Sequence, residues 1–420
     1  MITADLNQIV IALTEALDLV GIDEVGHGKR VGYMAFRCAQ VLGLDKKARE
    51  RLFNLGLLHD CGVSSTREHS HLVTEIQWEG AEEHAIQGER ILNTFTPFQD
   101  YAKAIRYHHT AWVNLAALDR IDQQTKIDAN LIFLVDRVDA TAAAHYCVDL
   151  LEKTDEIRDW LAGLSGTLFA PELVDLFLET SASGAFWMML EPPHLNRFIY
   201  EMGEHADSQN LSLEEIKRLA RIFAYIVDAK SEYTARHSFG VAHLARHLAR
   251  MLGFDPQRLD KIEIAGLLHD IGKLRLPDEL LEKPGPLNEV ERHIMQCHSF
   301  ETYQVLRRIK GFSEIALWAS YHHETPDGEG YPFRRHDAEL SIEARIIAVA
   351  DIFQALAQAR PYRPALGTNK ILPYLDERVA KGKLDPDIVK LVADDPDNCY
   401  RIAVSSREDD GLPVSPSKAC

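Results

Sequence analysis

The sequence predicts an all-α protein built from two tandem helical domains, and three observations carry that expectation. Apolar residues recur at three- and four-residue steps in stretches such as RLFNLGLLHD, EEIKRLARIFAYIVDAK and GVAHLARHLARMLGF, which is the period of one buried helix face. Runs with the two-residue strand period are nearly missing; YRIAVSS, from Tyr400, is a weak candidate. The third observation is that the two halves of the chain repeat one another.

The repeat can be followed element by element. HGKRVGYMAFRCAQVLGLD, from His27, matches HSFGVAHLARHLARMLGFD, from His237, without a gap. LGLLHDCG (55–62) then answers AGLLHDIG (265–272), and HAIQGERIL, from His84, answers HSFETYQVL, from His298. YHH occurs at 107–109 and at 321–323, and LVDRVDA answers VADIFQA, pairing Asp136 with Asp351. His27 and His237 each precede their His-Asp pair by 32 residues, and His84 and His298 each precede the first His of the double-His step by 24. Spacings this regular describe two copies of one helical domain.

Boundaries follow from local signals. MITADLNQIVIALTEAL opens the chain as an amphipathic helix rather than a signal peptide, because it carries acids and no leading basic cluster. HADSQNLSLEEI (205–216) reads as a break: DSQN is loop-like, and Ser212 followed by Glu215 forms a capping box that starts a new helix. The expected domains are therefore 1–205 and 206–404, followed by a polar, proline-containing tail over 405–420 that is expected to be loose.

Composition narrows the function classes. The chain has 420 residues, 46% hydrophobic and 26% charged, an ordinary globular composition. No apolar run reaches the ~18 residues of a membrane span, so the cytoplasm is the expected compartment. The six cysteines are scattered with no CxxC pair, which suggests neither a disulfide framework nor a thiolate zinc site. Cys297 reads as a packing residue. A net charge of −18 argues against DNA as a partner. A small anionic ligand held by a local basic pocket or a metal is compatible with it.

Ten of the 19 histidines lie at the repeated positions, and this concentration points to metal chemistry. A single buried histidine on a helix is more often structural than a ligand. Seven candidate ligands in the same order, twice over, are hard to explain as packing, since buried polar groups need partners. The second half offers His237, His269, Asp270, His298, His322, His323 and Asp351; the first offers His27, His59, Asp60, His84, His108, His109 and Asp136. Imidazole and carboxylate without thiolate suit iron, manganese, nickel or zinc better than calcium or magnesium. Seven ligands exceed one tetrahedral ion and fit two ions bridged by a carboxylate, with Asp270 the expected bridge. Two ions ~3.5–4 Å apart can share a hydroxide and clamp both oxygens of an in-line displacement at phosphorus.

The pattern H…HD…H…HH…D resembles that of HD-domain metal-dependent phosphohydrolases. HDIGK together with HHETPDGEGYP (322–332) resembles the HD-GYP family of bacterial cyclic-dinucleotide phosphodiesterases, over a stretch from about Asp228 (DAKSEYTARHS) to Ala365 (RPYRPA). The first half is similar to the broader, divergent HD type. The resemblance implies an all-helical fold, an iron or manganese centre on the seven second-half ligands, and hydrolysis of cyclic di-GMP to a linear dinucleotide, with mononucleotides as a further product. Its alternatives are 3′,3′-cyclic GMP-AMP as substrate, a non-catalytic cyclic-dinucleotide receptor, and another HD-type nucleotide hydrolase. Family members with a third ion carry a glutamate one turn before the first histidine. Here Tyr233 stands in that place with Glu232 one residue further back, so two ions are expected.

Lys273, four residues after His269, is expected one helical turn along the same face, where its ammonium would hold a phosphate oxygen or the leaving alkoxide. Asp270 and Lys273 are thus the expected catalytic pair. In DGEGYP, two glycines permit positive φ and Pro332 stiffens the exit, so Asp327 and Tyr331 are expected to face substrate. The resemblance makes Arg360 and Arg363 phosphate-binding groups. The first half keeps all seven ligands but has Val63 in place of Lys273, HHTAWVNLAALD in place of the GYP loop, and His145 and Val148 at the arginine positions. It is expected to be a metal-capable domain with a regulatory or structural role. Input would reach the second half through this domain, a homodimer or a signalling partner protein.

Overall fold

The computed structural model describes residues 4–18, 26–63, 65, 71–72, 80–205, 210–230, 237–359 and 363–405. Helices of eight or more residues are numbered in chain order. The first unit, Ile9–Gln209, carries α1 (Leu6–Leu17, entered from the preceding residues), α2 (His27–Val41), α3 (Lys46–Leu58), α4 (Ala81–Leu92), α5 (Gln99–Tyr107), α6 (Gln123–Ala142), α7 (Leu150–Ala162), α8 (Pro171–Thr180) and α9 (Pro192–His205). The second unit, Asn210–Cys420 with Met1–Gln8, carries α10 (Leu213–Ala229), α11 (His237–Met251), α12 (Pro256–Leu268), α13 (Glu289–Leu306), α14 (Ser313–Ser320), α15 (Ile342–Ala357), α16 (Thr368–Ala380), α17 (Pro386–Asp394) and α18 (Pro396–Val404). Among the described residues no helix is long and apolar enough to cross a membrane.

The all-α expectation holds, with two local differences. The chain start groups with the second unit rather than the first, because β1 (Ala4–Asp5) pairs antiparallel with β2 (Asn210–Leu211). Tyr400–Val404, read as a weak strand, is the end of α18: Pro396 opens that helix and Cys399 and Ala403, four apart, are its buried face. Cys297 is exposed and donates its thiol to the His293 carbonyl, so it is not a core residue. Residues 406–420 of the tail lie outside the described residues.

The repeat visible in sequence is a repeat of helices. α2 and α11 have 15 residues each, and α3 and α12 have 13 each. The aspartate that ends each repeated stretch is the N-cap of the next helix: Asp45 accepts from the Ala48 amide and Asp255 from the Arg258 amide. Ser212 and Glu215 form the expected capping box at the start of α10. Each unit has its own apolar core, with Leu55, Ile132, Leu134 and Val135 in the first and Leu244, Ile262, Ile347 and Phe353 in the second all buried. Each such side chain contributes roughly 1.5–3 kcal/mol.

Candidate metal centre

In the second unit α12 ends at Leu268, His269 caps it, and Asp270 leads into a 3₁₀ turn, Ile271–Arg275. Gly272 makes this arrangement fit. A Cβ there would lie 2.0 Å from the His298 carbonyl oxygen and 2.8 Å from the Thr302 amide nitrogen of α13, so only glycine lets α13 lie against the turn. Thr302 then ties the two together, its hydroxyl donating to the His269 carbonyl at 3.0 Å and accepting from the Gly272 amide at 3.1 Å. His298 is thereby carried to the His-Asp pair. Gly62 does the same in the first unit, where a Cβ would lie 2.0 Å from the His84 carbonyl oxygen.

The seven second-half residues converge. His237 starts α11, Asp351 lies on α15, and His322 and His323 follow α14 directly. Asp270 faces two ways. Its Oδ2 lies 3.4 Å from His237 Nε2 and 3.2 Å from His269 Nε2, while its Oδ1 lies 3.5 Å from His298 Nε2 and 3.9 Å from His322 Nε2. Asp351 Oδ1 lies 3.2 Å from His237 Nε2. Two ligand groups result, one of His237, His269 and Asp351 and one of His298, His322 and His323, with Asp270 between them.

The imidazoles are aimed from behind. Nδ1 of His269, His298 and His322 donates to the carbonyl three residues earlier, of Gly266 (2.7 Å), Met295 (2.6 Å) and Ala319 (2.6 Å), and Nδ1 of His237 donates to Gln354 Oε1 (2.5 Å). Each bond turns Nε2 inward, the orientation found behind metal-bound histidines. Burial, only partly opposed by Asp270, pushes His298 down to about 4. Burial and then the neighbouring His298 push His323 down to about 3, so both are neutral ligands near neutral pH. Burial opposes charge on His237 too, but the carboxylates of Asp270 and Asp351 beside it lift it to about 9. Burial works against charge on Asp270, but His269 and then Lys273 hold it well below the carboxylate range.

These residues fit a metal pair. His237 Nε2, His269 Nε2 and Asp270 Oδ1 are buried without a hydrogen-bond partner, a cost on the order of 1–3 kcal/mol each when left unmet. Cations seated in the two groups would satisfy all three at once.

The surrounding residues divide. Lys273 Nζ lies 2.5 Å from Asp270 Oδ2. Because the helix gives way to a 3₁₀ turn, the lysine meets Asp270 instead of stacking over His269. The Tyr331 ring lies 4.8 Å from that of His323, and its amide donates to the His323 carbonyl. Asp327, expected to face substrate, is instead spent on the loop: it accepts from the Thr325 hydroxyl (2.5 Å) and the Glu329 amide (3.0 Å), and Lys383 lies 3.3 Å away. Of the two loop glycines, Gly328 has positive φ (+78°), whereas Gly330 is needed for space, since a Cβ would lie 2.5 Å from Glu324 Cα. Arg363 donates to the Ala355 carbonyl, one turn beyond Asp351. Arg360, Glu232 and Tyr233 lie outside the described residues.

Sequence reasoning missed several contributors. Buried Glu324 organises the GYP loop by accepting from the Phe333 and Arg335 amides. Gln354 orients His237, and its counterpart Asp139 accepts from His27 Nδ1 at 2.8 Å. Their position, three residues after the last aspartate and so on its helix face, was the available signal.

The first unit repeats the geometry, with a change at Asp136. Asp60 Oδ2 lies 3.2 Å from His59 Nε2, and its Oδ1 lies 3.5 Å from His84 Nε2 and 3.8 Å from His108 Nε2. Nδ1 of His59 and of His108 donates to the Gly56 and Ile105 carbonyls. Asp60, His84, His108 and His109 form one ligand group, and His27, His59 and Asp136 the other. The change is Arg137, where the second unit has Ile352: its buried guanidinium donates to both oxygens of Asp136, at 3.1 Å each.

Comparison with known proteins agrees with this geometry. HD-domain family models match residues 25–141 and 212–388. The chain is 37% identical over 410 residues to 3′3′-cGAMP-specific phosphodiesterase 1 of Vibrio cholerae serotype O1, covering 96% of this chain and 94% of that one. It is 40% identical over 164 residues to the cyclic di-GMP phosphodiesterase response regulator RpfG of Xanthomonas campestris pv. campestris, covering 39% of this chain and 42% of that one. A crystal structure of a V. cholerae cyclic GMP-AMP-specific phosphodiesterase shares the fold, with a TM-score of 0.65 at 24% identity over 93% of this chain and 97% of that one. With tandem histidine-aspartate centres and a relative aligned almost end to end, the chain belongs to the HD-GYP-type family of cyclic-dinucleotide phosphodiesterases.

Proposed function

We propose that this chain hydrolyses a phosphodiester bond of a cyclic dinucleotide at the second-unit centre, with 3′,3′-cyclic GMP-AMP as the preferred substrate and a linear dinucleotide as product. The observation that carries the reading is Asp270, which presents one oxygen to each of two histidine groups. His237, His269, Asp270 and Asp351 would hold one ion, and Asp270, His298, His322 and His323 the other. Iron or manganese suits this thiolate-free donor set. When bound, two such ions would supply an activated water and neutralise charge on the phosphoryl oxygens.

The chain's own residues do the rest. Asp270, held in the ionised form by His269 and then Lys273, lies between the two seats. Lys273 brings a cation to the edge of the centre, where it steadies a phosphoryl oxygen or the departing ribose oxygen as the phosphorus–oxygen bond breaks. Tyr331, its ring tilted beside that of His323, offers a ring for a base or a hydroxyl for a phosphate. Arg363 and Arg360 are the candidate phosphate forks beyond α15. Asp327 is left to shape the loop.

The cyclic GMP-AMP preference rests on the relative that spans both units, whereas the cyclic di-GMP relative matches well under half of the chain. Cyclic di-GMP is the second reading. The test is purified chain loaded anaerobically with ferrous iron or manganese and offered both dinucleotides and nucleoside triphosphates, with products separated by chromatography. Faster opening of 3′,3′-cyclic GMP-AMP than of cyclic di-GMP is expected. Hydrolysis of triphosphates alone would overturn the assignment.

A further inference from the structure

The first unit contains a metal seat of a different composition, and we propose that it binds a single transition-metal ion through Asp60, His84, His108 and His109. The other group, His27, His59 and Asp136, stays metal-free. The inference does not depend on the reaction assigned to the second unit.

Three observations carry it. The four residues offer ligand atoms that all lie within 4.8 Å of one another. Asp60 Oδ1 is buried, has no hydrogen-bond partner, and faces the inward Nε2 atoms of His84 (3.5 Å) and His108 (3.8 Å). The His84 and His108 Nε2 atoms lie 3.4 Å apart, and His108 is fixed in its orientation by the Ile105 carbonyl. Two imidazole nitrogens facing each other across a carboxylate oxygen make a poor hydrogen-bond arrangement and a good coordination pocket.

The positions of two cations separate the units. In the second unit Lys273 contacts one oxygen of Asp270, and the residue after Asp351 is Ile352, an apolar side chain. In the first unit the pattern is reversed. Val63 replaces the lysine, so Asp60 keeps its charge for an ion, while Arg137 forks onto both oxygens of Asp136. A fixed guanidinium there cancels the carboxylate's charge, occupies both its oxygens and repels a second dication. Three imidazoles and one carboxylate select iron, manganese, zinc or nickel over magnesium or calcium. The bound ion would join the ends of α3 and α5 to α4, because Asp60 follows α3, His84 lies on α4, and His108 and His109 follow α5.

The test is the metal content of the full chain, loaded with manganese or ferrous iron and desalted, together with anomalous diffraction at the metal edge. The expected result is three ions per chain: two in the second unit and one among Asp60, His84, His108 and His109. His84→Ala is expected to lower the count to two, and Arg137→Ile to raise it to four by opening the seat at Asp136. An unmodified chain whose first unit shows no anomalous peak would overturn the proposal, as would a peak centred on His27, His59 and Asp136. A folded Arg137→Ile chain that still held three ions would overturn the role of the guanidinium. An empty second unit beside a filled first one would count against the phosphodiesterase centre and leave this seat standing.

Discussion

The two units hold the same seven histidines and aspartates at matching positions, yet each places a cation on a different carboxylate of the set. In the second unit Lys273 sits on Asp270, the aspartate between the two histidine groups; in the first, Arg137 sits on Asp136, at the edge of one group. A histidine-aspartate skeleton therefore fixes where ions can sit but not what the site does. A cation beside the bridging position is available to substrate. A cation forked onto a terminal ligand is committed to the protein. The lost GYP loop and arginines reinforce the difference, because Val63 and HHTAWVNLAALD offer no replacement for the groups that would handle a phosphate.

The comparison can be broken or sharpened by four changes, in falling order of effect. Stripping metal with a chelator is expected to abolish cyclic-dinucleotide turnover, with ferrous iron or manganese restoring it; turnover that survives complete removal by elemental analysis would contradict a metal centre. Lys273→Val, which copies the first unit, is expected to lower kcat by about 10²–10³-fold while the metal content stays constant, the usual scale for losing one preorganised charge stabiliser. A kcat within a few-fold of wild type would remove Lys273 from the chemistry. Gln354→Ala removes the acceptor behind His237 and is expected to weaken metal affinity by about 10–100-fold, read by titration with a competing chelator. Tyr331→Phe is expected to have the smallest effect, raising KM by less than about tenfold and leaving kcat nearly unchanged if the ring does most of the binding. A collapse of kcat would instead place the hydroxyl at the reacting phosphate.

The helical class, the repeat and the convergence of the histidines and aspartates were legible because they depend on residue identity and spacing. α2 with α3 and α11 with α12 have matching lengths, so the sequence register carries directly into space. What was not legible depends on backbone detail. Lys273 meets Asp270 because the chain tightens into a 3₁₀ turn once Gly272 lets α13 approach, and helical spacing extrapolated past His269 could not show that. Asp327 and Glu324 are two acids in one loop, and only the direction of nearby amides shows that both accept from its backbone. Arg137 looks like any helix arginine until its neighbours are known. The strand pairing of Ala4–Asp5 with Asn210–Leu211 is long-range and involves two residues on each side, too few for a periodic pattern.

The central claim is that catalysis belongs to the second unit alone. Its most direct test compares the initial rate of 3′,3′-cyclic GMP-AMP hydrolysis by two metal-loaded full-length variants, His59→Ala/Asp60→Ala and His269→Ala/Asp270→Ala, each checked for folding by circular dichroism. The account predicts turnover close to wild type for the first pair and none for the second. Loss of turnover in the first pair while the second unit remains folded and loaded, or turnover that persists in the second pair, would contradict it.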